Sequence, residues 1–310
     1  MGRRRQSDPC ETNGALAMRV LLVADHYPVC LARYMRDSYR RLGADVRSVG
    51  PAQGTAIWGS DVAPERVWQP DGPIDTVWAD WLPEVVIYST GVPFQFNPQY
   101  RGVPHVVHTV DNHVVDFRQE GIDHYFLAHG HGQAMPVQGP DVTWLPCAYD
   151  PVFFTPSPIA WSQRRFDVSL IGAPYPNRVE LLNAIKAAGF NVCAGVGAVY
   201  EQFRDIYHNT RISLCLSACG DVAQRVFETA AMRCLILTDP CPDLPDLRAD
   251  GITVYHSVAD AVQKVRQILA NPALAQAAVE RTFAWAKPHT WDARAQVILR
   301  WVKDHKTAPT

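Results

Sequence analysis

Short runs of apolar residues, separated by polar loops, recur along the first half of the chain. Residues 18–24 form a continuous apolar run of the kind that a strand buried on both faces requires. Residues 31–42 have helical spacing and are followed by Gly43, a typical helix C-cap, and residues 45–50 complete a βαβ unit. Further strands are predicted at 84–90, 105–110, 124–129 and 141–144. This alternation predicts an open parallel sheet covered by helices.

A second alternating series begins at residue 166. It is preceded by a stretch, 145–165, that contains four prolines and has no clear period, as is typical of a linker. The predicted strands are 166–172, 190–195, 211–217, 234–239 and 252–257, and the predicted helices are 177–188, 199–208, 221–233 and most of the chain from 258 onward.

The sequence therefore predicts an α/β protein with two doubly wound, Rossmann-like domains that face each other across a cleft. We expect a disordered tail at 1–17, a first domain at 18–150, a linker at 151–165 and a second domain at 166–310, whose last helix packs back on the first domain. Ligands of such sheets bind at the carboxyl ends of the strands, so the cleft is the expected site.

Composition and charge exclude several classes of function. The 310 residues include 47% hydrophobic residues, and 29 basic residues stand against 31 acidic ones. This balance excludes a disordered chain and a protein dominated by a polyanionic partner. No apolar stretch approaches the roughly 20 residues of a membrane span, and residues 1–17 do not contain the apolar h-region expected of a signal peptide. Most of the eight cysteines lie in or beside apolar runs, which favours reduced thiols and a cytoplasmic location.

The two domains differ in the turns that follow their first strands. The turn at 25–30 contains no glycine, so it is a poor nucleotide cradle, and we assign the first domain to the other substrate. In the second domain, Gly172 opens a turn into a helix for which Asn177 and Glu180 suggest a capping box. Arg178 then lies in the first turn, where the helix dipole disfavours a cation. A phosphate contact explains this arginine, and so does a surface pair with a carboxylate.

The segment 220–231 carries the most informative pattern. Helical spacing places Asp221, Gln224, Arg225 and Glu228 on one polar stripe behind a buried strand. A cation and a carboxylate one turn apart suit two parts of one ligand, with Arg225 for a diphosphate and Glu228 for ribose hydroxyls. The alternative is an ordinary solvated pair on a helix surface.

Five segments in this order resemble the CgeB-like group of GT-B glycosyltransferases, over roughly residues 141–300. They are LPCAYDPVFF, FDVSLIG, YEQFRDIYHNTRISLCLS, RVFETAAMRCLIL and HTWDAR. The resemblance implies a nucleotide-sugar donor held mainly by the second domain and an acceptor recognised by the first.

The resemblance also implies roles for single residues. Glu228 matches the family's carboxylate for the donor ribose, and Arg225 becomes a diphosphate ligand. His289 and Thr290, in the last of the five segments, resemble the pair of residues that closes the family's pattern, here called the closing pair. Related retaining enzymes carry a second Glu eight positions before Glu228, where this chain has Gly220. This departure leaves the stereochemical outcome open.

On the acceptor side, Asp111 follows an apolar strand and is our candidate base, with a loop cap or an Asx-turn as the alternative. The pair His129 and His131 either lines the cleft or forms a turn. We assign no metal ligand, because Cys215 and Cys219 lack a second Cys/His pair and no convincing DxD motif is present.

These observations predict a metal-independent glycosyltransferase that needs no cofactor beyond its co-substrate, a nucleoside-diphosphate sugar, with a UDP-sugar as first expectation. The acceptor hydroxyl belongs to a glycan, lipid, protein, small metabolite or modified DNA base. The predicted catalytic residues are Asp111 and Arg225, and the predicted donor ligands are Gly172, Arg178, Gln224, Arg225 and Glu228. A nucleotide-sugar 2-epimerase and a non-catalytic nucleotide-sugar- or glycan-binding module are the alternatives.

Overall fold

The computed structural model describes residues 18–24, 31–50, 66–67, 81–89, 102–217 and 219–306. The predicted tail at 1–17 and the turn at 25–30 lie outside these residues. None of the described helices is both long enough and apolar enough to cross a bilayer.

A parallel sheet of seven strands forms the first half of the molecule. Its order is β3-β2-β1-β4-β5-β6-β7. The chain therefore adds β2 and β3 on one side of β1, and then adds β4 to β7 on the other side. The strands β1, β4 and β5 are almost entirely buried, as the continuous apolar runs predicted. The two-residue β3 was not predicted. The strands are β1 (Arg19–Ala24), β2 (Asp45–Gly50), β3 (Arg66–Val67), β4 (Val85–Ser89), β5 (His105–Thr109), β6 (His124–Leu127) and β7 (Val142–Trp144).

A second parallel sheet, of five strands, forms the other half. Its order is β12-β11-β10-β8-β9, and the strand order reverses between β8 and β10. At such a reversal the connections leave on opposite faces of the sheet and open a crevice at its carboxyl edge. The strands are β8 (Phe166–Ile171), β9 (Val192–Gly195), β10 (Thr210–Leu214), β11 (Leu235–Thr238) and β12 (Thr253–Val254). The two sheets confirm the predicted fold class.

The helices follow the predicted order, but the second and fourth differ from the prediction at their amino-terminal ends in ways that affect the site. They are α1 (Leu31–Arg41), α2 (Pro176–Ala187), α3 (Tyr200–His208), α4 (Arg225–Ala231), α5 (Val258–Ala270), α6 (Pro272–Ala286) and α7 (Trp291–Lys306). The predicted Asn177 cap is wrong, because α2 begins at Pro176 and Tyr175 occupies the cap position without a side-chain hydrogen bond. The predicted helix at 221–233 is only Arg225–Ala231, so Asp221 lies in the preceding loop.

The last helix, α7, packs against α1 of the first half. Trp291 is completely buried and stacks on Tyr34 of α1, with ring centroids 6.5 Å apart. Near the same end, Arg41 forms ion pairs with Asp150 and Asp292. The carboxyl-terminal helix thus contributes to the core of the first half.

The proline-rich stretch between the sheets is well packed. Phe154 is buried and its ring centroid lies 6.0 Å from that of Tyr34. Trp161 is also buried and donates from its indole nitrogen to the Arg211 carbonyl oxygen at 2.9 Å. The segment therefore holds the two halves together by side-chain contacts as well as by chain connectivity.

Candidate donor site

The reversal of strand order in the second sheet places two loops side by side. Gly172 directly follows β8, and residues 215–217 follow β10. Arg178, in the first turn of α2, joins them by donating to the carbonyl oxygens of Ala173 at 3.1 Å and Leu216 at 2.9 Å. The guanidinium group also lies 4.7 Å from the centroid of the Tyr175 ring. The predicted first-turn position of Arg178 is confirmed. Arg178 is only 6% exposed, so the alternative of a surface arginine paired with a carboxylate is wrong.

Arg225 approaches Arg178 over Gly172. The Nε and Nη1 atoms of Arg225 are buried without a hydrogen-bond partner, and so is Nε of Arg178. Within the described part of the chain, neither arginine forms an ion pair. Burial lowers the pKa of Arg178 most, and the positive charge of Arg225 lowers it further. Two cations held together with unused donors form a ready site for an anion.

Gly172 makes the approach of the two guanidinium groups possible. Its φ is 151°, and a Cβ atom built there would lie 2.6 Å from Nη2 of Arg225 and 3.6 Å from Nη1 of Arg178. The first distance is shorter than a non-bonded contact allows. A residue with a side chain at this position would therefore push Arg225 out of its place.

Glu228 is a buried carboxylate at the centre of the same region. It is 7% exposed and accepts a hydrogen bond from Nε2 of Gln224 at 2.6 Å. Burial raises the pKa of Glu228 to about 7, although the hydrogen bond from Gln224 and the charge of Arg225 act in the opposite direction. The predicted stripe of four polar residues is thus corrected in two ways. Asp221 is not on the helix, and Glu228 faces the interior.

A cavity of about 480 Å³ opens beside these groups. Its lining includes Gly172, Gln224, Arg225 and Glu228 from the second half of the molecule. Aromatic rings from both halves close it, namely Tyr34, Phe153, Phe154, Tyr200 and Phe203. Four of the five predicted donor ligands therefore line one cavity, and the fifth, Arg178, lies beside its lining residue Gly172. An apolar wall with a few convergent polar groups is typical of a small-molecule site.

Tyr200 marks the edge of this cavity. Its φ of 51° lies in the left-handed region, which a residue with a side chain rarely adopts. Its ring stacks under the guanidinium group of Arg33 from α1, 4.2 Å from the ring centroid. Such strain is often found at ligand sites, where the surrounding contacts maintain it.

Asp111 lies in a second group of polar residues at the junction of the two halves. It follows β5, is half-buried, and interacts electrostatically with His113, His129 and Asp221. Burial raises the pKa of Asp111. Asp111 is not among the described residues that line the cavity. Sequence reasoning missed His113, although it lies only two residues after Asp111.

The predicted closing pair, His289 and Thr290, lies at the start of α7. The Thr290 hydroxyl accepts a hydrogen bond from the amide of Ala293 at 3.1 Å and so caps the helix. Arg294, buried in the same turn, donates to Nδ1 of His289 at 2.7 Å and to the carbonyl oxygen of Pro146 at 2.7 Å. This pair therefore anchors the helix to the segment between the sheets.

Comparison with known proteins agrees with this fold. Residues 158–300 match a family model described as glycosyl transferase-like. Sucrose-phosphate synthase from Thermosynechococcus elongatus has a similar structure, with a TM-score of 0.66, 11% identity, and 94% of this chain and 100% of that chain covered. The protein has the GT-B fold.

Two further structures with the GT-B fold share this similarity. HepE of Anabaena, solved in complex with UDP-glucose, gives a TM-score of 0.70 at 9% identity, and a glycosyltransferase from Rickettsia africae gives 0.66 at 9%. The shares covered are 93% of this chain and 100% of HepE, and 94% of this chain and 100% of the Rickettsia enzyme. No curated protein sequence matches this chain. The family match and the shared fold support a sugar-transfer function.

Proposed function

We propose that this GT-B protein transfers a sugar from a UDP-sugar to a hydroxyl acceptor, and that the cavity beside Arg225 holds the donor. One observation carries the proposal. The guanidinium groups of Arg178 and Arg225 lie together over Gly172, and each has buried hydrogen-bond donors that are unused. Leaving such donors unsatisfied is costly in the ligand-free protein, and a diphosphate would satisfy them.

The remaining cavity residues suit the other parts of the donor. Glu228, oriented by Gln224, accepts hydrogen bonds from ribose hydroxyls, and the aromatic wall packs against the base. The two guanidinium groups take the negative charge that develops on the leaving diphosphate, in place of a divalent cation. UDP is the preferred nucleotide because UDP or UDP-glucose is bound in several structures of similar fold.

Asp111 acts on the acceptor side in this proposal. It stands at the carboxyl edge of the first sheet, next to the loop that carries Asp221. A carboxylate there takes the proton of the acceptor hydroxyl as the sugar is transferred. We place the protein in the cytoplasm, since the described cysteines are all free thiols, as a reducing compartment requires.

Nucleotide-dependent thermal stabilisation of wild-type protein and of Arg225→Ala tests the donor site. UDP and UDP-sugars should raise the melting temperature of the wild type by mass action. Arg225→Ala should weaken UDP binding by about 10- to 150-fold, the loss of about 1.5–3 kcal/mol expected for a charged hydrogen bond. The ligand-free variant should be as stable as the wild type or more so, because a repulsion between two cations is relieved. Addition of EDTA should leave UDP affinity unchanged.

The exposed Arg266 of α5 provides the matched control, as Arg266→Ala. Equal UDP affinity of Arg225→Ala and wild type would contradict the donor assignment, as would the absence of stabilisation by any nucleoside diphosphate. Incubation with UDP-sugars and a panel of hydroxyl acceptors then identifies the reaction. Transfer gives a glycosylated acceptor, whereas an epimerase changes the sugar without an acceptor, and a binding module changes neither.

A further inference from the structure

Two histidines and an aspartate meet where the two halves of the molecule face each other. His113 follows β5 and His129 follows β6, both from the first sheet, whereas Asp221 precedes α4 in the second half. One ligating atom of each of the three side chains lies within 4.8 Å of the other two. The rings of His113 and His129 meet edge to face with their centroids 4.6 Å apart.

The hydrogen bonds of His129 leave one of its nitrogens with an unused lone pair. Its Nε2 lies 2.8 Å from the carbonyl oxygen of Val110, which only accepts, so Nε2 carries the proton. Nδ1 is then unprotonated in the neutral ring. This atom is buried without a hydrogen-bond partner, in a side chain that is 5% exposed. Nδ1 of His113 is likewise buried and without a partner.

The loops that carry the two histidines are rigidly connected. The side chain of Asn112 is completely buried, donates to the carbonyl oxygens of His129 and Met135 at 2.7 and 2.9 Å, and accepts from the His129 amide at 3.0 Å. From the other half, Asp243 accepts hydrogen bonds from the amides of Gly130 and His131. The position of His129 is therefore set before any ligand arrives.

Charge at this junction also favours a cation. The carboxyl group of Asp111 interacts with both imidazole rings, that of Asp221 interacts with the ring of His113, and that of Asp243 lies 3.7 Å from Nδ1 of His129. A neutral imidazole with its other nitrogen bonded to a backbone carbonyl is the arrangement that metal-binding histidines adopt. Two imidazoles and one carboxylate suit divalent transition metals such as Zn²⁺ or Co²⁺ better than Mg²⁺ or Ca²⁺, which prefer oxygen ligands alone.

We propose that His113, His129 and Asp221 bind one divalent transition-metal ion that links the two halves of the molecule. The ion takes a lone pair from each imidazole and a carboxylate oxygen from Asp221. Typical bond lengths of about 2.0–2.2 Å require the three atoms to lie closer together than the present limit of 4.8 Å, and rotation of the half-buried His113 side chain would supply part of this movement. The proposal does not depend on the proposed donor.

Titration of the full-length, chelator-treated protein with Co²⁺ and Zn²⁺ tests this site. Calorimetry should give one ion per chain, and the Co²⁺ complex should show visible d–d bands without the strong near-ultraviolet band of thiolate ligation. Asp221→Asn retains the oxygen that accepts from the Cys219 amide, and His113→Gln removes a half-buried imidazole. Each variant should bind at least tenfold more weakly, with an unchanged melting temperature in the absence of metal.

His131→Gln and Asp246→Asn are the matched controls, since both residues are exposed at the same junction. They should bind metal as the wild type does. The proposal is overturned if the wild type binds no ion, if the Co²⁺ spectrum shows thiolate ligation, or if the controls lose as much affinity as His113→Gln.

Discussion

Glu228 shows how burial changes the chemistry of a single residue. On a solvated helix face it would be an ordinary glutamate. In the folded protein Glu228 is instead buried and lines the cavity. The pKa of about 7 means that the folded protein holds a proton that the unfolded chain has lost above about pH 4.5. The carboxyl group therefore changes charge within the physiological range.

Replacement of Glu228 by Gln should remove a pH dependence of stability. As the pH rises from about 4.5 to about 7, the wild type should lose stability relative to Glu228→Gln, by on the order of 1 kcal/mol per pH unit. The loss occurs because the folded state binds more protons than the unfolded state in this range. Below this range the difference should be constant. Urea unfolding at several pH values measures it, with the exposed Glu201→Gln as control. A difference that does not change between pH 5 and pH 7 would argue against a buried acid.

At the scale of the elements, α7 belongs to both halves of the molecule. It follows the second sheet along the chain, but its first residue, Trp291, packs against Tyr34 of α1 and His108 of β5. Arg294 then fastens the helix to the backbone of Pro146 and Cys147. The two halves therefore share one continuous core near this helix.

Trp291→Ala should lower the free energy of unfolding by about 3–5 kcal/mol, the usual cost of removing a large buried aromatic side chain. The loss comes from the first half of the molecule, although the residue belongs to the last helix. Urea denaturation followed by circular dichroism measures it. Val297→Ala, at a position of the same helix that is 39% exposed, should cost much less. Equal losses for the two variants would mean that α7 does not pack as described.

At the scale of the whole molecule, hydrogen bonds across the junction hold the two halves together. Asp243 is 3% exposed and accepts hydrogen bonds from Gly130 and His131 at 3.1 and 2.9 Å. Burial raises its pKa, but the nearby imidazole of His129 and the hydrogen bonds from the two backbone amides outweigh this effect, so the pKa is lowered. The ionised carboxylate thus holds the loop after β6 against the second half.

Asp243→Ala should loosen this junction, because two partly buried amides lose their acceptor. We expect a loss of about 2–3 kcal/mol in the free energy of unfolding and a larger radius of gyration in small-angle X-ray scattering. Asp246→Ala is the control, since Asp246 is exposed and contacts the exposed side chain of His131. An unchanged radius of gyration and stability in Asp243→Ala would show that the contact does not hold the two halves together.

Features that depend on local pattern could be predicted from the amino-acid sequence. Short, largely apolar segments such as 18–24 and 166–172, bounded by turn residues, are typical of central strands, and both lie within the two parallel sheets. The first-turn position of Arg178 also follows from near neighbours in the chain.

Features that depend on residues far apart in the chain became visible only in the folded protein. Arg178 and Arg225 are far apart in sequence, and only the reversal of strand order between β8 and β10 brings them together over Gly172. Burial of Glu228 depends on packing around the cavity, which helical spacing does not reveal. The meeting of His113 and His129 with Asp221 depends on how the two halves face each other, because each residue alone is an ordinary loop residue. Local periodicity specifies elements, whereas contacts between residues distant in the chain create the sites.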